Sequence, residues 1–231
     1  MLVLVPQVQA KKRPRINIVR DMEPDEDSLL LTVESNNYYA IDYLNTTLDY
    51  STKDGWDFSV SSQNIPVSDG SYAQNYNDDT YFQVSKTWEQ SWGQLSLGTM
   101  NGFQLFSYSK QDIANGINTP NQLHSFTYGD ALYRINDWLR VHSGVFYVNA
   151  ALSTKTDYVS PLFGIVIGDD ELYFQADWTG GHSNVSGAQA AIYYSPYSNL
   201  KLYSGLLVPE KNSGNEFSSV IGFTFAFGKQ N

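Results

Sequence analysis

Ser219-Val220-Ile221-Gly222-Phe223-Thr224-Phe225-Ala226-Phe227, near the end of the chain, is the stretch that decides the fold. Ile221, Phe223, Phe225 and Phe227 fall on every second position, with Gly222, Thr224 and Ala226 between them. A period of two is the strand period, so the large apolar groups leave one face together. The opposite face is small. In a soluble sheet such a face would need a second layer over it. In a membrane barrel it needs only lipid.

The same alternation recurs upstream. In 56–65, Trp56, Phe58 and Val60 alternate with Asp57, Ser59, Ser61 and Gln63. In 171–179, Leu172, Phe174, Ala176 and Trp178 alternate with Glu171, Tyr173, Gln175 and Asp177. In 185–195, Ala188, Ala190, Ile192 and Tyr194 share a face. Two strands fit less simply. Lys86 shares a face with Phe82, Val84 and Trp88 and must snorkel to an interface. Residues 138–150 are apolar on both faces near Phe146 and Val148.

From Ser28 onward the pattern predicts twelve strands, at 28–35, 38–50, 56–65, 79–89, 94–103, 122–134, 138–150, 158–167, 171–179, 185–195, 200–208 and 216–227. Five compact turns join alternate pairs: Thr52-Lys53-Asp54-Gly55, Gln90-Ser91-Trp92-Gly93, Ile135-Asn136-Asp137, Gly168-Asp169-Asp170 and Ser195-Pro196-Tyr197-Ser198-Asn199. The long polar connections, 66–78 and 104–121, then fall on the other side together, with 151–157, 180–184 and 209–215. Short periplasmic turns opposite longer external loops are the asymmetry of bacterial barrels. The exception is 36–37, an external link of two residues, which makes ten strands the alternative count. Trp56, Trp88, Trp92 and Trp138 fall at periplasmic strand ends and Trp178 at an external one, where interfacial aromatics belong.

Composition agrees. Aromatics make up 15% of the 231 residues and charged residues only 16%, which suits strands whose outside is not water. A slightly polar mean hydropathy is compatible with a barrel, because half of the strand residues face inward. No run is long and apolar enough for a helical span. A lipocalin-like barrel would put its apolar face inward and charge outside, and strand charge here is sparse. A sandwich would need many more buried aliphatics. Cysteine is absent, which removes disulfides and thiolate metal sites.

At this point the chain resembles the bacterial outer-membrane β-barrel proteins. These typically end in a strand of alternating hydrophobes closed by an aromatic, which the barrel-insertion machinery reads. Here Ile221, Phe223 and Phe225 lead to Phe227, and the tail Gly228-Lys229-Gln230-Asn231 departs from that pattern. The resemblance implies an all-β, transmembrane, antiparallel up-and-down barrel in the outer membrane of a Gram-negative bacterium. It implies the lipid bilayer and the barrel-assembly machinery as partners.

The ends of the chain differ from its body. Residues 1–10, MLVLVPQVQA, resemble the last part of a secretory signal peptide with a small-residue site after Ala10, or else form an unusual mature N-terminus. Residues 1–27 read as a polar segment outside a barrel of 28–231. Lys11, Lys12, Arg13, Arg15 and Arg20 are five of the 14 basic residues, and 1–20 holds no acid. The rest therefore carries 24 acids against nine bases (14 less 5), which argues against nucleic acid and for cations in any aqueous lumen.

Among the three histidines, His124-Ser125 and His142-Ser143 are strand neighbours and point to opposite faces, so neither pair acts together locally. His182-Ser183 lies in a connection. A barrel hydrolase would need an activated hydroxyl, and no motif marks one. Asp169-Asp170-Glu171 reads as turn chemistry rather than a metal site, and no zinc spacing or phosphate-cradling loop is present. No catalytic residue, metal or cofactor is expected. The expected lumen-facing residues are Asp57, Gln63, Arg134, Arg140, His142, Glu171, Tyr173, Gln175 and Asp177. The sequence thus leads to a narrow or gated, cation-preferring channel for small solutes. The alternatives are a structural or anchoring barrel, holding a partner protein through 1–27 or loop 104–121, and, third, a barrel hydrolase. The 104–121 loop is also the best candidate for a plug.

Overall fold

The computed structural model describes residues 27–38, 42–66, 79–104, 123–150, 158–183, 185–211, 213 and 217–227. These residues form twelve strands: β1 (Ser28–Tyr38), β2 (Asp42–Ser51), β3 (Trp56–Pro66), β4 (Asp79–Gln90), β5 (Gly93–Gln104), β6 (His124–Asn136), β7 (Leu139–Val148), β8 (Val159–Gly168), β9 (Leu172–Thr179), β10 (Gly187–Tyr197), β11 (Leu200–Pro209) and β12 (Ser218–Phe227). Each pairs antiparallel with its sequence neighbours, and β1 pairs β12, so the sheet closes into an up-and-down barrel. Closure leaves no edge of unpaired peptide groups, which is the condition for a sheet to cross hydrocarbon.

The strand count of twelve holds, and the ten-strand alternative does not. The difference lies at 36–37. Those residues are not a link: β1 continues to Tyr38, Asn36 is buried inside, and the connection is 39–41, outside the described residues. Loops 67–78, 105–122 and 151–157 also lie outside the described residues, as do 1–26 and 228–231. The expectations for residues 1–10 and for a plug at 104–121 fall there.

Alternation decides which side chain meets which medium. Phe58, Phe82, Leu97, Val145, Phe163, Phe174, Ile192 and Ile221 are exposed on the outside. The intervening positions point inward and are mostly buried. A continuous outer band of large apolar groups is what a bilayer requires. Where that band carries polar groups, they satisfy one another. Ser125 Oγ donates to Asn101 Oδ1 at 2.8 Å, Asn101 Nδ2 donates to Thr99 Oγ1 at 3.2 Å, and Thr99 and Thr127 share a hydroxyl contact at 3.0 Å. Lys86 solves its problem by reaching the short-turn rim. Its Nζ donates to the Asp54 carbonyl and lies 5.3 Å above the Trp56 ring. A register shift between Tyr194 and Tyr197 in β10 brackets Pro196, which has no N–H to give the ladder.

Ile192 lies on the outer face, paired with Phe174 and Ser204. Ile192→Arg should lower stability by about 2–4 kcal/mol, the cost of a cation near the bilayer midplane. Urea titration of folding into lipid vesicles measures it. An unchanged midpoint would mean that this face does not meet lipid.

Candidate functional site

The candidate site is the interior of the barrel, and its two halves differ in chemistry. On β4–β8, toward the long-loop end, Tyr81, Met100, Phe126, Tyr128, Phe146, Val148 and Leu162 form one packed cluster with Val185. Phe146 and Val148 explain why β7 reads as apolar on both faces: the outer set meets lipid and the inner set meets this cluster. Val185 belongs to the 180–186 connection, which turns inward. Thr179 Oγ1 donates to the Val185 carbonyl at 2.9 Å, and Ser186 Oγ donates to the Gly180 carbonyl at 2.8 Å. Gly181 permits the turn with φ of 90°.

A second cluster lies toward the short-turn end, on β8–β11. The rings of Tyr173 and Tyr193 stack at 4.7 Å, and those of Tyr193 and Tyr203 at 5.2 Å. Val166 and Ala191 pack against them. Tyr203 then crosses β12 above Gly222, where a Cβ would collide with its ring, and its hydroxyl donates to Glu34 on β1.

Between the clusters His142 on β7 bridges two carboxylates. Its Nε2 lies 2.7 Å from Asp177 Oδ1 on β9, and its Nδ1 lies 3.3 Å from Asp130 Oδ1 on β6. Gln175 Nε2 donates to the other Asp177 oxygen at 2.6 Å. The bridge to β9 passes over β8 at Gly164, where any Cβ would strike both His142 and Asp177. An imidazole with a carboxylate on each nitrogen has no lone pair to offer a hydroxyl nucleophile, so His142 acts as a brace across four strands.

The remaining arc, β1–β5, is polar. Thr32, Asn36, Asn45, Thr47, Ser61, Gln63, Gln83, Ser85, Thr87, Gln94 and Ser96 are all buried on it, together with Glu34 and Asp49. Asp57 joins them near the short-turn end, accepting from Ser51 Oγ at 2.6 Å and Ser85 Oγ at 3.3 Å. Thr32 on β1 and Thr224 on β12 join hydroxyls at 3.0 Å across the seam.

Of the residues singled out by sequence, Gln63, Arg140, His142, Tyr173, Gln175 and Asp177 are buried within the barrel, and Asp57 is half-buried. The structure brings His142, Gln175 and Asp177 together. Arg134 and Glu171 differ: both are exposed at the short-turn end. Glu171 has the inward parity but precedes β9, in the turn where Asp169 caps the Glu171 and Leu172 amides. The five tryptophans are exposed, with Trp92 stacked on Tyr133 and Trp178 on Phe163. Ile221, Phe223 and Phe227 are exposed and Phe225 is half-buried, all on a strand held between β1 and β11. His124 faces the Tyr81 hydroxyl at 2.8 Å, while its neighbour Ser125 bonds outward to Asn101. Sequence reasoning missed Glu34, Asp49 and Asp130. Their inward parity was available, as Asp49 alternates with Thr47 and Asn45, and Asp130 with Tyr128 and Leu132.

This closed, twelve-stranded antiparallel architecture is that of the bacterial outer-membrane barrels, and the outer membrane is where such a barrel resides. Among solved structures, the chain is similar to the KdgM porin, at 10% identity with a TM-score of 0.59, over 86% of this chain and 99% of that one. It is also similar to the NanC porin, at 10% identity and a TM-score of 0.54, over 87% and 100%. The outer membrane phospholipase of Salmonella typhi matches at 10% identity with a TM-score of 0.52, over 93% and 98%. No protein-family model matches the chain, and no curated protein matches it by sequence.

Gly164→Ala should destabilise the barrel by about 1–3 kcal/mol, because the added methyl must displace a packed ionic contact. The same vesicle-folding titration reads it. A neutral effect would show that the His142–Asp177 contact does not hold β7 to β9.

Proposed function

We propose that the chain forms a narrow, cation-preferring channel for small solutes. The observation that carries this reading is the asymmetry of the interior. Carboxylates at Glu34, Asp49 and Asp57 stand on the polar arc of hydroxyls and amides, while His142 is already held between two acids. A polar path with fixed negative charge favours cations over anions. The two apolar clusters fill the opposite arc and keep the path narrow. The likeness to two porins supports the reading.

The same clusters favour a second reading, a closed structural barrel that anchors a partner protein through 1–27 or 104–121. The likeness to a phospholipase bears on a third reading, a barrel hydrolase, but His142 gives it no free base.

Planar-bilayer recording separates these readings. Under an asymmetric KCl gradient the reversal potential should take the sign of cation selectivity. Asp49→Asn and Glu34→Gln should move it toward zero. Absence of conductance at every voltage would sink the channel and leave the structural barrel.

A further inference from the structure

The outer band of the barrel carries a polar island on β5 and β6. Thr99 pairs with Thr127 and Asn101 with Ser125, so the four side chains leave the outer face as neighbours. Thr127 is exposed there and the other three are half-buried. Large apolar groups surround them. Phe103 and Leu123 stand beyond the island toward the long-loop end, and Leu97 lies on its short-turn side. Phe82 on β4 pairs with Asn101, and Tyr147 on β7 pairs with Thr127. All five are exposed. The island therefore lies inside the apolar band, away from its margins.

Its internal bonds do not use up the Asn101 amide. The amide oxygen accepts from Ser125 Oγ, and one N–H goes to Thr99 Oγ1. Among the described residues that side chain makes no other bond. A carboxamide has two N–H groups and two lone pairs on its oxygen, so one donor and one acceptor site remain on the outer face. Lipid tails cannot fill either, and a bare polar site is costly in hydrocarbon.

Symmetry names a partner that can fill both. Two barrels with the same orientation in the membrane form a closed pair about a two-fold axis along the membrane normal, and that axis sets a surface patch against its own copy. One free donor and one free acceptor on the same amide complement themselves under that operation. The island carries no charge to repel its copy. Next to it, toward the short-turn end, Gly129, Ala131 and Ser143 are half-buried on the outer face and keep the wall low, which lets two backbones approach.

We propose that the outer face of β5 and β6 is a dimer interface, on which a second copy of this chain sits with Asn101 bonded to the partner's Asn101. Bringing two apolar walls together in lipid yields no hydrophobic gain, so the amide pair decides which wall is used. The interface holds whether or not the lumen conducts.

Sedimentation equilibrium of the full chain in detergent micelles should show a reversible dimer. Asn101→Leu should weaken it about tenfold, the factor that ~1.4 kcal/mol represents. The chain has no cysteine, so single introduced thiols locate the contact. In lipid vesicles a short bifunctional thiol reagent should join Ala131→Cys to a second chain and leave Ile192→Cys, on the outer face of β10, unjoined. A chain that stays monomeric at every concentration overturns the proposal, as does an Asn101→Leu dimer as tight as the native one. Linkage through Ile192→Cys as ready as through Ala131→Cys, or none through Ala131→Cys, overturns it too. Should Asn101→Leu fail to fold, the unaltered chain and the two thiol variants decide the question.

Discussion

In hydrocarbon an unpaired peptide group costs several kcal/mol, and the seam between β1 and β12 is where this chain meets that constraint. The seam is complete from Leu29↔Phe227 to Tyr38↔Ser218. Its demands reach well beyond two strands. The strand number has to be even for the ends to meet antiparallel. Polar side chains that face lipid must find each other, as Thr99, Asn101, Ser125 and Thr127 do. A lysine in the outer band must reach the rim, as Lys86 does.

The interior obeys a different rule. With about half of the strand residues turned inward, a twelve-stranded barrel encloses little space beyond what side chains can fill. This chain divides that space by chemistry. Aromatics and aliphatics occupy the β4–β8 arc at one end and the β8–β11 arc at the other. The His142 brace sits between them, so an ionic bridge over β8 marks the boundary between two apolar packings. The longest run of buried hydroxyls and amides lies on β1–β5, with Glu34 and Asp49 among them.

The strands were legible because lipid asks for nothing but a period of two, and Ile221 to Phe227 shows that period in its plainest form. The 36–37 link misled for the same physical reason: Asn36 and Asn37 have turn chemistry, yet in a barrel a polar residue is at home inside a strand. Site residues were legible as far as parity carries, which is why Tyr173, Gln175 and Asp177 could be assigned inward together. Parity failed at Glu171, where the strand had not yet begun. It was also silent on partnership. That His142 reaches Asp177 depends on two registers and on a missing side chain at Gly164, and no local pattern encodes that combination.

Tyr203 reaches Glu34 only across the bare backbone of Gly222. The two partners belong to the eleventh and the first strand, and neither pairs with the other in the sheet. Their contact therefore exists only in a cylinder already shut. It is a checkpoint rather than a wall contact: a sheet still open, however well its eleven other junctions are formed, leaves the phenol and the carboxylate apart. The interior thus carries its own record that the beginning and the end of the chain have found each other.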